Sequence, residues 1–313
     1  MERDNQSLIP TLSAKELVER FSVQDRYWDQ AMFEDFNQFG FHRLEHTQHL
    51  MIEALPPHRK NFHDFFFITK GVLHRGRGVD SYEVRPHTFC FIPAHQITYA
   101  ALTSSDVEGF ACHFTDKLLA GMQETTLQKL DFLHLDGQPL VEVPAHHTPT
   151  LIYLLERIEA EFIQDLENKY ELIAAYLQTL FLELTRFIAP RSHKAAKSNE
   201  TITARYKQLL AQHIQTTQSI QDYAEMLGIT PNHLNKCVKQ VTSRTARDWI
   251  QEVILLESKV LLAQTTLPIA EISFRLGITD QSYFGRFFKK KTGHTPSQYR
   301  KMIEMSGFLP EPS

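Results

Sequence analysis

Two short stretches near the C-terminal end collect side chains suited to holding nucleic acid. One runs from Pro231 through Asn232, His233, Asn235, Lys236 and Lys239. The other runs from Asp280 through Gln281, Ser282, Tyr283, Arg286, Lys289 and Lys290. Amides pair with adenine edges and a guanidinium with guanine, while lysines and hydroxyls hold phosphate oxygens. Residue type alone would not separate this chemistry from the solvated face of a helical bundle. Spacing argues for it. Leu234 and Val238 interrupt the first set at helical intervals, and Phe284, Phe287 and Phe288 the second, so each set forms the outer face of an amphipathic helix.

Each of these helices needs a partner to aim it. Ile220, Tyr223, Ala224 and Leu227 predict a short helix ahead of the first, and Ile269, Ile272 and Leu276 one ahead of the second. Between the members of each pair stands Leu-Gly-Ile-Thr, at 227–230 and again at 276–279. Glycine ends the leading helix because it takes a left-handed conformation without penalty, and isoleucine plugs the turn. Thr230 caps the next helix with Pro231 at its first position, and Thr279 or Asp280 caps its counterpart. The echo continues as Thr242-Ser243-Arg244-Thr245 against Thr292-Gly293-His294-Thr295. Helix, glycine turn and basic second helix, twice in tandem, is a helix-turn-helix arrangement. Trp249, Ile250, Val253, Leu256, Val260 and Leu261 predict a connecting helix of roughly 16 residues, about 24 Å, within Ala246–Gln264 that sets the two heads apart. Residues 201–301 carry a net charge of +7 within a chain of −4, which leaves −11 for the rest. An acidic body with a basic end fits a nucleic-acid-binding tail domain.

In these residues the chain resembles the AraC/XylS-type transcription regulators. The signature of their second unit is matched by Ile272, Gly277, Asp280 to Phe284, Arg286, Phe288-Lys289, Gly293, Pro296 and Tyr299-Arg300. The resemblance implies seven helices forming two subdomains that enter adjacent major-groove segments. It also implies RNA polymerase as a partner. Three positions depart from the family pattern: Ile254 stands for arginine, Ser243 for glycine and Ser258 for alanine. They bear on the stability of the linker helix and a turn.

Ahead of this domain the pattern changes to short apolar runs. Phe65 to Ile68, Phe89 to Ile92 and Val107 to Phe114 are separated by Gly71, Gly76, Gly78, Pro86 and Pro93, which predicts a strand meander closed as a small barrel or sandwich. The run is similar, more loosely, to the cupin barrel that such regulators carry as a sensor. His63, Phe65 and Phe67 share one face of a regular strand and could line a small-molecule pocket, with His74, Phe91 and Tyr99 beside them. The same aromatics could equally be barrel core. His58 and His63 are five apart and Thr98 stands where a third histidine would be expected, so no metal or other cofactor is expected. Thr148 to Ile188 predicts two helices turning at Asn168-Lys169, with stripes running from Leu151 to Leu166 and from Tyr170 to Phe187. In the family this segment carries a dimer contact, although such a hairpin could simply cap the barrel.

The expected fold is therefore α+β in two domains. A cupin-like β-barrel sensor spans 1–145, with a helical hairpin over 146–188. A polar linker follows over 189–200, and an all-α tandem helix-turn-helix domain over 201–303. No apolar leader stands in Met1–Phe21, and no run is long enough to span a membrane. Cys90, Cys112 and Cys237 have no paired spacing and read as free thiols of a bacterial cytoplasm. The expected function is a sequence-specific, non-enzymatic regulator binding double-stranded DNA as a homodimer, with a small-molecule effector in the barrel. Two rivals remain: a metal-dependent cupin enzyme fused to a DNA-binding end, and an architectural DNA-binding protein held mostly by phosphates.

Overall fold

The computed structural model describes residues 11–22, 36–47, 55–100, 103–135, 137–164, 166–188 and 199–305. The chain divides into two compact units on either side of residue 190. The first opens with α1 (Ala14–Phe21), whose Ser13 and Glu16 form a reciprocal capping box. Then come β1 (Phe39–Arg43), α2 (Leu44–Thr47), β2 (His58–Arg59), β3 (His63–Lys70), β4 (Leu73–Arg77), β5 (Asp80–Val84), β6 (Thr88–Ile92), β7 (Ile97–Ala100) and β8 (Glu108–Phe114). A short α3 (Glu124–Leu127) and β9 (Leu140–Glu142) lead into α4 (Thr148–Gln164) and α5 (Lys169–Thr185).

The strands form two antiparallel sheets, ordered β1-β8-β3-β6-β9 and β2-β7-β4-β5. Among the described residues no ladder joins the two sheets, so the cupin-like barrel is open, two layers facing each other. The larger sheet is covered on both sides. One face, with Phe65, Phe67, Phe89, Phe91, Phe110 and Phe114, packs against α4 and α5 through Leu155, Ile158, Phe162, Leu177 and Phe181. The other face, with Phe66, Ile68, Cys90 and Ile92, packs on Leu73 and Val84 of the smaller sheet. That is why the runs in β3 and β6 are continuously apolar instead of alternating. By contrast β5 is an edge strand whose first four residues alternate between half-buried and exposed. Asn168 enters α5 in the left-handed region, at φ +61°. Leu166, predicted to extend the first stripe, lies beyond the end of α4 and is exposed.

The predicted linker falls largely on residues 189–198, outside the described residues. Its last two positions, Asn199 and Glu200, already belong to α6 (Asn199–His213), which opens the second unit. There follow α7 (Ile220–Met226), α8 (Pro231–Thr242), α9 (Ala246–Gln264), α10 (Ile269–Arg275), α11 (Gln281–Thr292) and α12 (Pro296–Met305), seven helices among the described residues. The sequence echo is an echo of hydrogen bonds. The Thr242 hydroxyl donates to the Val238 carbonyl (2.8 Å) and accepts from the Arg244 N–H (3.3 Å), as the Thr292 hydroxyl does with Phe288 (2.9 Å) and His294 (3.2 Å). Thr245 then caps α9 in a reciprocal box with Asp248, and Thr295 and Gln298 exchange the same two bonds at the start of α12.

The departures from the family pattern now have a physical reading. Ile254 is buried within α9, and the buried Ser258 donates to its carbonyl at 2.7 Å, so neither leaves a polar group stranded. Ser243 ends α8 at φ +60°, where the second unit has Gly293 at +82°. A Cβ in that region costs roughly 1–2 kcal/mol, and glycine returns about half as chain entropy. Ser243→Gly is expected to stabilise this unit by about 0.5–1 kcal/mol. Thermal melts of the full chain followed by circular dichroism would check it.

Candidate nucleic-acid interface and internal cavity

The two glycine turns do what their sequence requires. Gly228 and Gly277 sit at φ +66° and +71°, where a side chain would be strained. Ile278 is buried in its turn and Ile229 half-buried in the other. The Thr230 hydroxyl accepts from the His233 N–H at 3.3 Å, with Pro231 at the first position of α8. Of the two candidates for the second cap, Asp280 makes it, accepting from the Ser282 and Tyr283 N–H groups at 2.8 and 3.0 Å. Between the heads α9 runs for 19 residues, about 28 Å at 1.5 Å per residue. Its core face buries Trp249, Ile250, Val260 and Leu261. The Gln218 side-chain amide, just ahead of α7, donates to the Leu276 carbonyl at the second turn, tying one head to the other.

On α8 the side chains of Asn232, His233, Lys236 and Lys239 are exposed, while Leu234, Cys237 and Val238 are buried. Pro231 is exposed at the helix start. Asn235 differs from its expected place. It is half-buried, and its side-chain carbonyl accepts from the Ala246 N–H at 3.0 Å, holding α8 to the start of α9. On α11, Gln281, Ser282, Tyr283, Arg286, Lys289 and Lys290 are exposed around the buried Phe284 and Phe288, and Phe287 is half-buried against Tyr283. Arg286 has only a loose ion pair with Asp280, 3.8 Å apart with both side chains largely exposed. Such a contact is worth little and leaves the guanidinium available. Lys236, Lys239, Lys289 and Lys290 make no ion pair among the described residues. Each head thus presents uncommitted cations beside amides and hydroxyls.

A Helix-turn-helix domain family model matches residues 223–302. The arabinose operon regulatory protein of Escherichia coli is 31% identical over 98 residues, 31% of this chain and 34% of that protein. In this region the chain is similar to the AraC/XylS-type regulators. A further relative, the bifunctional transcriptional activator/DNA repair enzyme AdaA of Bacillus subtilis, is 33% identical over 87 residues, 28% of this chain and 41% of AdaA. The match therefore spans less than half of either protein. The transcriptional activator RhaS of Escherichia fergusonii aligns more widely at 22% identity, over 79% of this chain and 88% of its own. No described helix is long and apolar enough to cross a membrane.

The first unit holds a cavity of about 590 Å³ between its two sheets. None of the six residues expected to line a pocket reaches it. His63, Phe65, Phe67 and Phe91 point from the larger sheet to the opposite side, where the three phenylalanines form the core under α4 and α5. His63 is pinned: its Nδ1 accepts from the Ala94 N–H at 3.2 Å and its Nε2 bonds Asp116 at 2.8 Å. His74 and Tyr99 stand on the outer face of the smaller sheet, the Tyr99 ring lying where a Cβ on Gly76 would have to be. Instead the cavity takes the neighbours one residue away: Asp64, Phe66 and Ile92 from one sheet, Arg75 and Thr98 from the other. Lys60, His42, His58 and His113 add to its polar lining, with Thr47, Thr103 and Ser105. Among the described residues no group of three His, Cys, Asp or Glu converges as a metal site.

Burial holds the three histidines neutral, His42 and His58 down to about 3 and His113 to about 4. Each would take its proton near 6.5 in the unfolded chain, so the stability they contribute is complete above that pH. It is lost as pH falls toward 3–4, at about 1.4 kcal/mol per pH unit for each histidine. Melting of the first unit is expected to drop steeply between about pH 6.5 and pH 5, with His58→Gln flattening the slope.

Proposed function

We propose that the chain is a sequence-specific, ligand-responsive transcription regulator whose two helix-turn-helix heads read neighbouring major-groove segments. The observation that carries this is the pair of outward faces on α8 and α11, each with exposed amides and unpaired cations behind a capped glycine turn. In this reading Asn232, His233, Gln281, Ser282, Tyr283 and Arg286 meet base edges, and Lys236, Lys239, Lys289 and Lys290 hold phosphates. Pro231, Asn235 and Asp280 position rather than read, through the helix starts and the α8–α9 contact. A connecting helix of about 28 Å supports heads spaced near one DNA turn of ~34 Å.

The sheet cavity serves as the effector site, and α4 and α5 as the dimer contact, for which the exposed Tyr153, Ile163, Leu172 and Leu182 supply apolar surface. The domains follow as sensor over 1–145, hairpin over 146–188, linker over 189–200 and DNA-binding domain over 201–303. RNA polymerase is the further partner, the bacterial cytoplasm the site of action, and no catalytic step belongs to this chain. Effector binding shifts the relative placement of the two domains, changing which DNA half-sites a dimer can engage together. Nuclease footprinting of the full chain on the DNA upstream of its own gene tests the reading. Discrete protection of adjacent major-groove segments is the expected result. Diffuse, steeply salt-dependent protection would favour an architectural protein.

A further inference from the structure

The cavity between the sheets has apolar walls, among them Phe36, Leu55, Phe62, Phe66, Leu73 and Ile92. Its charged lining consists of Lys60, Asp64 and Arg75. The Lys60 ammonium lies against the Asp64 carboxylate, and the opposite charges of that pair offset each other. The three histidines are neutral. Arg75 is left. Its guanidinium lies over the Phe66 ring, 4.4 Å from the centroid, and its buried Nε has no hydrogen-bond partner. Among the described residues it makes no ion pair. Burial lowers its pKa only to about 10, so it is charged at neutral pH.

An unpaired cation in an apolar chamber is costly, and such charges are normally matched by a counter-ion. A planar guanidinium stacked on an aromatic ring keeps its edge free for a two-point bond to a carboxylate. We infer that the cavity takes a small organic anion, a carboxylate with an apolar body, whose head group pairs with Arg75 and whose tail lies against the phenylalanine and leucine walls. The inference rests on reading the cavity as the effector site. A volume of about 590 Å³ lies within the usual range for small-molecule pockets.

The test is isothermal calorimetry and thermal shift on the full-length protein with octanoate and phenylacetate, each beside its neutral amide. Wild type is expected to bind at least one carboxylate and to discriminate at least tenfold against the amide. Arg75→Gln should lose tenfold or more of that affinity while its ligand-free form melts no lower than wild type, since a solitary half-buried charge has been removed. Arg75→Lys should fall between them, because it keeps the charge without the fork. Equal binding of amide and carboxylate, or undiminished binding by Arg75→Gln, would overturn the anion assignment and leave an effector cavity of another chemistry. Binding of none of the four compounds would overturn the assignment and also remove support for the cavity as an effector site. No DNA enters the experiment, so neither result touches the reading of the two heads.

Discussion

Replacing Arg286 with alanine is expected to cost about 1–3 kcal/mol of operator affinity, roughly 5- to 150-fold, and to relax sequence preference at one position of the second half-site. The guanidinium is largely exposed on α11 and held only by the 3.8 Å approach to Asp280, so the free protein pays little to release it. Lys290→Ala is the contrast. A phosphate contact carries no sequence information, so its loss should weaken binding similarly on every sequence and lower the salt slope by about one. Lys236→Ala asks the same of the first head. Gel-shift titrations across salt, with specific and scrambled duplexes, separate these outcomes. If Arg286→Ala weakened both duplexes equally, the residue would be a phosphate contact and base reading would have to come from elsewhere on α11.

Phe181→Ala is expected to have the largest effect on stability, about 3–5 kcal/mol for a fully buried phenylalanine. Its ring meets Phe65, Phe91, Phe114 and Phe132 at centroid distances of 5.5–6.3 Å, so its removal opens a void where α5 seats on the sheet. Chemical denaturation should show the loss as a lower midpoint without a change of slope. The cavity lies on the opposite side of the same sheet, so the substitution also tests the assignment of faces. A carboxylate ligand should still raise the variant's melting temperature. If instead the variant kept its stability and lost binding, the aromatic face would be the ligand face after all.

The DNA-binding unit was legible because its determinants are local. Gly228 and Gly277, the caps at Thr230 and Asp280, and the 3.6-residue period of Leu234-Val238 or Phe284-Phe288 act within a few residues of one another. The connecting helix lies in the expected segment for the same reason and fills all 19 residues of Ala246–Gln264, somewhat longer than the roughly 16 expected, bounded by the Thr245 box and by Thr265. Asn235 was misplaced because its partner, the Ala246 N–H, lies eleven residues on, beyond the helix that sequence periodicity describes.

The first unit shows the opposite case. Sequence by itself determined that it is made of short strands followed by a helical pair, and that His63, Phe65 and Phe67 share a face. It could not say which face meets the cavity. A strand such as Phe65-Phe66-Phe67-Ile68, apolar at every position, is buried on both sides, and its period of two carries no sign of which side is which. Only the docking of α4 and α5 against one side of the sheet, through residues over 80 positions away, decides that the odd-numbered phenylalanines are core. The even-numbered side is thereby turned toward the smaller sheet, where Lys60, Asp64 and Arg75, from separate strands and a loop, come to line one chamber.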